Sequence, residues 1–193
     1  MDLSTWRAIM SGERPAPDWL AADNGFASVR AMREAHAPIA AAVRTVTAGA
    51  RYNIIDLGCG NGALLAASCG ETPGLEPLGV ERDPRKLIHA QAMFGPAVSR
   101  WLSCDMFACP APLEKAADQS VILIMPGRLL EAGADRAAAL CLWLRDHADI
   151  ILCYAYPDWI ARYGSLDELG RRAGFASWES VGPNRTIAIG RLP

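Results

Sequence analysis

Apolar residues along the chain fall into short runs that alternate with longer segments of helical periodicity. The short runs predict five strands, at residues 52–57, 77–80, 98–103, 120–125 and 150–154. The intervening and following segments predict helices at residues 63–68, near 84–93, 134–147 and 165–173. The run SVILIM at 120–125 is almost continuously apolar, which indicates a strand buried on both faces. Strands separated by helices predict an α/β fold with a doubly wound parallel sheet and right-handed crossovers.

The N-terminal part of the chain departs from this alternation. Residues 1–24 are interrupted by glycine and proline, and we expect them to be irregular, with Trp6 and Trp19 as apolar anchors. Residues 26–47 carry part of an apolar helical stripe. Pro38 lies inside this segment, and we expect it to kink or split the helix.

The C-terminal part predicts two further strands, near residues 177–181 and 186–191. A Gly-Pro-Asn turn joins them, which is too short for a parallel crossover. They should therefore form an antiparallel hairpin at one edge of the sheet. The complete prediction is a seven-stranded, mostly parallel sheet in a three-layer α/β/α arrangement.

Composition narrows the class of protein. The chain has 193 residues, of which 51% are hydrophobic and 21% charged, as expected for a single globular domain. The formal net charge of -2 gives no basic footprint for nucleic acid. The N-terminus does not resemble a secretory signal, and no apolar run approaches 18 residues. We therefore expect a cytoplasmic protein that has no membrane span.

Cysteine and histidine give no sign of a metal site. The six cysteines are scattered without a CxxC pair, and we interpret them as small buried hydrophobes in a reducing cytosol. His36, His89 and His147 lie far apart and lack the spacing of metal ligands. We expect all three histidines on the surface or at helix ends, and no bound metal.

Residues 54–65 have the sequence IIDLGCGNGALL, which places three glycines directly after the first strand. Glycine there lets a ligand approach the backbone, and the following helix offers free N–H groups to a pyrophosphate or a carboxylate. Glu81 lies 21 residues after Gly60, at the end of the second strand, and can accept hydrogen bonds from two ribose hydroxyls. An adenosine-type ligand is indicated, which leaves NAD and S-adenosylmethionine both open.

Three features favour S-adenosylmethionine. Asp56 ends the first strand, where an anionic side chain repels a pyrophosphate but receives an ammonium. Asp105 follows the third strand, placed to take an adenine amino group, with Met106 able to pack on the ring. The terminal hairpin does not belong to the usual dinucleotide-binding sheet.

The ordered combination of Asp-Leu-Gly-Cys-Gly-Asn-Gly, Glu81, Asp105 and the final hairpin resembles the class I S-adenosylmethionine-dependent methyltransferases, over residues 52–191. The resemblance implies a Rossmann-like fold and a glycine loop against the methionine part of the cofactor. It also implies acids that hold the ribose and the adenine. The cofactor-binding residues expected on this basis are Asp56, Gly58, Cys59, Gly60, Glu81, Arg82, Asp105, Met106 and Met125.

The acceptor side is less defined by the sequence. The end of the fourth strand lacks the Asn/Asp-Pro-Pro-aromatic signature of amino-methylating DNA enzymes, which lowers the expectation of nucleic acid or glutamine as acceptor. Arg128 either starts a helix in solvent or binds an anionic group. Tyr156 and Asp158 could accept a proton or hold a hydroxyl, and Trp159 could stack on an acceptor. Ordinary edge packing around Pro157 is the alternative.

We expect residues 1–47 to form a helical lid segment and residues 48–193 the cofactor-binding domain. Trp19 would contribute a large apolar side chain to the part of the lid that covers the acceptor. The leading hypothesis is methyl transfer to oxygen or nitrogen of a small metabolite, by a monomer or a homodimer. Open alternatives are a protein or RNA acceptor, a cofactor-binding protein without transferase activity, and an enzyme that uses the cofactor in other chemistry.

Overall fold

Seven strands form a single sheet in the computed structural model, which describes residues 3–70, 72–94, 100–108, 119–181 and 185–193. Cys109, residues 98–99 of the predicted third strand and the predicted turn at 182–184 lie outside the described residues. The strands are β1 (Tyr52–Leu57), β2 (Leu75–Glu81), β3 (Arg100–Ser103), β4 (Ser120–Ile124), β5 (Ile150–Tyr154), β6 (Ser177–Ser180) and β7 (Ile187–Arg191).

The strand order is β3-β2-β1-β4-β5-β7-β6. β1 to β5 pair in parallel, whereas β7 lies antiparallel between β5 and β6. The predicted α/β class, the parallel body of the sheet and the antiparallel hairpin at its edge are confirmed. The order reverses between β1 and β4, and such a switch point opens a crevice at the carboxyl ends of the strands.

The described helices cover both faces of this sheet. They are α1 (Leu3–Ser11), α2 (Trp19–Ala22), α3 (Val29–Thr47), α4 (Ala63–Cys69), α5 (Pro84–Phe94), α6 (Pro126–Ala132), α7 (Ala134–His147), α8 (Pro157–Tyr163) and α9 (Leu166–Arg172). The predicted helix at 134–147 coincides with α7. Ser165 caps α9 by accepting a hydrogen bond from the backbone N–H of Glu168.

The expectation that residues 1–24 are irregular was wrong, because α1 and α2 lie within them. Trp6 and Ile9 lie about one helical turn apart, and both side chains are buried in the core. Helix α8 was not predicted either, and α6 was foreseen only in the alternative that Arg128 starts a helix. Each is seven residues long and begins at a proline that follows a strand, where the fixed φ suits the first helical turn.

Of the two expected effects of Pro38, a split of the helix is excluded, because α3 continues through it for 19 residues. Ser28 caps its N-terminus by accepting a hydrogen bond from the N–H of Ala31. Met32 and Val43 are fully buried on the inner face, where α3 packs on α4. Burial of this stripe outweighs the one helical hydrogen bond that a proline removes.

The central strand β4 separates the two halves of the core. Val121 and Leu123 pack on the side of α3 and α4, whereas Ile122 and Ile124 pack on the side of α6 and α7. All four have no exposed surface, so the strand is buried on both faces as predicted. Helices cover both faces, and the carboxyl ends of the strands are where a cleft opens.

Candidate active site

A cleft with a volume of about 670 Å³ lies at the carboxyl ends of the parallel strands. It brings together most of the residues that the sequence marked as a site. The predicted site residues that line it are Asp56, Gly58, Cys59, Gly60, Glu81, Arg82, Asp105, Met106, Met125, Arg128 and Tyr156. Residues from the ends of five strands, which span 100 positions of the chain from Asp56 to Tyr156, thus share one cavity.

Three predicted acceptor residues are not among those that line this cleft. Trp19 stacks on His89 with ring centroids 4.1 Å apart. Trp159 lies under the guanidinium of Arg128, 4.9 Å from the ring centroid, so it meets the cleft only through that side chain. Asp158 is exposed in the first turn of α8.

The glycine loop between β1 and α4 is packed so closely that a side chain introduced at Gly58 or Gly60 would displace a neighbouring atom. Gly58 and Gly60 have φ values of +92° and +57°, in the left-handed region that favours glycine. A Cβ at Gly58 would lie 3.0 Å from Cε of Met106, and one at Gly60 would lie 2.1 Å from Oδ1 of Asn24. Glycine is therefore favoured at both positions for two reasons, the positive φ of the backbone and the lack of space for a Cβ.

Asp56 presents a buried carboxylate to this cleft. Its side chain is 1% exposed, and its Oδ1 atom has no hydrogen-bond partner among the described residues. Burial, and then the nearby charge of Glu81, raise the pKa of Asp56 to about 7. A buried carboxylate that lacks a partner favours a cationic ligand, so the donor set fits an ammonium group and opposes a phosphate.

Glu81 holds the glycine loop against the end of β2. One carboxylate oxygen accepts the N–H of Gly60 at 3.1 Å, and the other accepts the N–H of Asp83 at 2.9 Å. These bonds fix the plane of the carboxylate, and each oxygen keeps a further lone pair for a ligand hydroxyl.

Asp105 is tied to α7 by a contact that the sequence did not indicate. Its carboxylate accepts the N–H of Phe107 at 3.0 Å and the guanidinium of Arg136 at 2.6 Å. Partial burial raises the pKa of Asp105, but these hydrogen bonds outweigh it and leave the pKa below its ordinary value. Arg136 also lies over the Phe107 ring, 4.8 Å from its centroid. Asp105 is therefore ionised and held in one orientation.

His36 contradicts the expectation of a surface or helix-end histidine. It lies in the middle of α3, is 2% exposed and lines the cleft. Burial lowers its pKa to about 4, so the imidazole is neutral at neutral pH. Its Nδ1 atom is buried and finds no hydrogen-bond partner in the described part of the chain.

Two aromatic rings pack beside this imidazole, Phe26 from the segment between α2 and α3 and Tyr156 from the end of β5. Phe26 meets His36 edge to face at 5.3 Å and meets Tyr156 in the same manner at 5.3 Å. Tyr154 lies 5.5 Å from Tyr156, and both tyrosines line the cleft. Burial raises the pKa of each phenol, so both remain uncharged hydrogen-bond donors.

The segment after α2 closes one side of the cleft. Asn24 donates a hydrogen bond to Oδ1 of Asn61 in the glycine loop at 2.5 Å, and Asn61 donates to the carbonyl of Leu20 at 2.9 Å. Asp23 lies 2.7 Å from Nδ1 of His89, and its carbonyl accepts a hydrogen bond from Lys86.

The sequence contained a signal for only one of the residues that were missed. His36 lies four residues after Met32 and seven before Val43, and so shares the buried stripe of α3. Asn24, Tyr154 and Arg136 belong to no motif, and their place in the cleft depends on how separate elements pack.

Solved structures of S-adenosylmethionine-dependent methyltransferases share this fold. The bifunctional kinase-methyltransferase WbdD aligns with a TM-score of 0.60 at 16% identity, over 98% of this chain and 45% of that chain. SibL, an S-adenosylmethionine-dependent methyltransferase, aligns with a TM-score of 0.56 at 16% identity, over 85% of this chain and 56% of that chain. A possible exported protein from Bordetella parapertussis aligns with a TM-score of 0.52 at 12% identity, over 100% of this chain and 80% of that chain.

At these identities the similarity is one of fold, and the resemblance to the class I methyltransferases is confirmed at that level. The chain spans a little under half the length of WbdD and somewhat over half that of SibL. No protein-family model matches the chain, and no curated protein matches it.

In the described part of the chain, every helix is too short or too polar to cross a membrane. In the same parts of the chain, no group of three or more His, Cys, Asp or Glu side chains is arranged to hold a metal ion.

Proposed function

We propose that this chain is an S-adenosylmethionine-dependent methyltransferase that acts on oxygen or nitrogen of a small molecule. The observation that carries the proposal is the buried carboxylate of Asp56, whose Oδ1 atom finds no partner among the described residues. It faces the same cleft as the glycine loop and Glu81. An α-amino group is the cation that a carboxylate at this position would bind, whereas a dinucleotide would bring a pyrophosphate towards a negative charge.

The bound cofactor supplies a methyl group on a sulfonium, which needs no further activation as an electrophile. Asp56 would accept hydrogen bonds from the ammonium, and Glu81 would use its free lone pairs for ribose hydroxyls. Asp105 and the adjacent backbone would bind the adenine, with Met106 as an apolar neighbour. Gly58, Cys59, Gly60, Arg82 and Met125 complete the walls of this part of the cleft. The protein accelerates transfer by alignment and by exclusion of water.

Continuity of the cleft favours an enzyme over a protein that only binds the cofactor. The same cavity that contains Asp56 extends to Met125 and Arg128 after β4 and to Tyr156 after β5. An acceptor therefore has an open space beside the cofactor-binding residues. Trp159 supports the acceptor side indirectly, because its ring holds the guanidinium of Arg128.

A small acceptor is favoured by the N-terminal segment and by the charges at the rim. Residues 22–25 and His36 line the cleft, as a lid formed by residues 1–47 would require. Lys86, Arg128 and Arg136 at the rim already bind Asp23, Glu131 and Asp105. These cations offer little unpaired charge to an RNA phosphate. A protein or RNA acceptor is the alternative.

Isothermal titration calorimetry of the full chain with S-adenosylhomocysteine, S-adenosylmethionine and NAD tests the proposal. We expect both S-adenosyl compounds to bind and NAD to bind at least about tenfold more weakly. Asp56→Asn should weaken S-adenosylhomocysteine binding, and Arg30→Ala, which removes an exposed ion pair with Glu34 on α3, should not. Preference for NAD, or no binding of either S-adenosyl compound, would refute the proposed function.

A further inference from the structure

We propose that His36 is the residue that accepts the proton of the methyl acceptor, and that the acceptor is a phenol. This inference rests on the proposed function and deepens it, since it assigns a catalytic residue and a substrate class to the acceptor end of the cleft. The structural basis is a buried imidazole on α3 whose Nδ1 atom has no partner among the described residues and which packs beside the rings of Phe26 and Tyr156.

One nitrogen of the His36 imidazole lacks a hydrogen-bond partner among the described residues. His36 is almost fully buried in the cleft wall, and its Nδ1 atom has no partner in the parts of the chain that are described. A buried polar atom of this kind destabilises the protein unless a ligand satisfies it. Because the ring is neutral, one of its two nitrogens carries a lone pair that can accept a hydrogen bond from a ligand O–H.

The surrounding side chains favour a flat, apolar ligand. Phe26 and Tyr156 meet edge to face beside His36, and Tyr154 continues the row. An aromatic ring can enter such a row with offset or edge contacts. The hydroxyls of Tyr154 and Tyr156 are uncharged and can donate hydrogen bonds to a ligand oxygen as it loses its proton.

The acidity of the hydroxyl group separates the classes of compound that could serve as acceptor. A phenol is a stronger acid than an aliphatic alcohol by several powers of ten, so a neutral imidazole accepts its proton more readily. Arg128 lines the same cleft, but its guanidinium is paired with Glu131 at 3.2 Å, and Glu131 also pairs with Arg162 at 3.4 Å. We therefore assign no charge-stabilising role to Arg128.

The balanced step is a single displacement. The phenol O–H bond breaks and its proton passes to the imidazole of His36, while an oxygen lone pair forms the new O–CH3 bond. The C–S bond breaks and its electron pair stays on sulfur as a thioether. The imidazolium then returns the proton to water when the product leaves.

The test uses the full chain saturated with S-adenosylhomocysteine, phenol as the probe, and anisole, which has the same ring without the hydroxyl proton. We expect phenol to bind about fivefold or more tightly than anisole, as one additional hydrogen bond implies. The ¹⁵N resonances of the His36 ring should move with phenol and not with anisole. Titration calorimetry and histidine-selective NMR measure these two effects.

His36→Phe retains an aromatic ring and removes both nitrogens. This variant should lose the preference for phenol over anisole, whereas His147→Phe, at the end of α7 and outside the cleft, should keep it. With S-adenosylmethionine and phenol, formation of anisole should fall at least about tenfold in His36→Phe and stay unchanged in His147→Phe.

Failure of S-adenosylhomocysteine to bind would refute the proposed function and this inference with it. Normal binding of S-adenosylhomocysteine together with no binding of phenol would refute the acceptor class alone. A preference for phenol that survives in His36→Phe would refute the role of His36. If that variant does not fold, a His36 resonance that is unmoved by phenol in the parent protein still refutes it.

Discussion

Asn24 and Asn61 join the N-terminal segment to the glycine loop through a side-chain hydrogen bond of 2.5 Å. The backbone N–H of Asn61 also donates to Oδ1 of Asn24 at 3.4 Å. That same oxygen occupies the space beside Gly60 where a Cβ would lie. The segment after α2 is therefore a wall of the cleft, and the predicted lid role of residues 1–47 can be tested at this contact.

Asn24→Ala removes the side-chain bond while it leaves the fold of the sheet unaffected. We expect dissociation of S-adenosylhomocysteine to become about three- to tenfold faster, as loss of one or two hydrogen bonds implies. Stopped-flow fluorescence measures the rate, and hydrogen exchange of residues 19–25 should increase in parallel. Glu34→Ala, at an exposed position on the following helix α3, is the control. An unchanged dissociation rate with faster exchange would contradict a gating role.

Asp56 should make cofactor affinity depend on pH. Its pKa is raised to about 7 by burial, so the carboxylate is largely protonated below that pH and ionised above it. An ammonium binds the ionised form, so affinity for S-adenosylhomocysteine should fall by up to about tenfold per pH unit below pH 7. Asp56→Asn should remove this dependence, and Asp146→Asn on α7 should keep it. Calorimetry between pH 5.5 and 8.5 provides the comparison, and an equal slope in both variants would contradict the role of Asp56.

Stability of the free protein should show the opposite trend for the same residue. The folded-state pKa of Asp56 lies above its ordinary value of 3.8, so this group stabilises the fold below about pH 4 relative to higher pH. That contribution, on the order of 4 kcal/mol, is lost as the pH rises through about 7. Asp56→Asn should therefore be more stable than the parent at pH 8, by an amount that shrinks towards pH 4. Urea unfolding at several pH values tests this, and a constant difference would contradict it.

The contribution of His36 to stability should depend on pH in the opposite direction to that of Asp56. Its folded-state pKa of about 4 lies below the ordinary value of 6.5, so its contribution to stability is present above pH 6.5 and lost as the pH falls to about 4. The stability of His36→Phe relative to the parent should therefore improve as the pH falls from 7 to 4. His147→Phe should show no such trend. In the parent protein, the pH dependences of stability due to Asp56 and to His36 have opposite signs and partly cancel. Each single variant removes one of them, so the pH dependence that remains reports the other residue.

The framework of this fold could be predicted because its signals are local. The apolar run of β4 and the glycines before α4 each need only neighbouring residues to be recognised. Glu81 and Asp105 could be assigned because each directly follows a strand, and the carboxyl ends of parallel strands share one edge of the sheet. The same reasoning placed Tyr156 in the cleft.

The rest of the site depends on contacts between distant segments. Asp105 and Arg136 are 31 residues apart, and no periodicity connects them. His36 could have been recognised as an inward-facing residue, but which cavity it faces depends on how α3 packs against α4. Trp159 does not line the cleft, because α8 begins at Pro157 and this helix turns the Trp159 ring under Arg128 and against Gly127.

Glu81 allows the ribose contact to be separated from the support of the glycine loop. Glu81→Ala removes both, since the carboxylate accepts the N–H groups of Gly60 and Asp83. The ligand pair 5′-methylthioadenosine and its 2′-deoxy analogue removes only a ribose hydroxyl. In the parent protein the deoxy analogue should bind about 5- to 100-fold more weakly, as a hydrogen bond to a charged group implies. In Glu81→Ala the two ligands should bind equally, whereas a deoxy penalty of the same size in both proteins would mean that Glu81 only supports the loop.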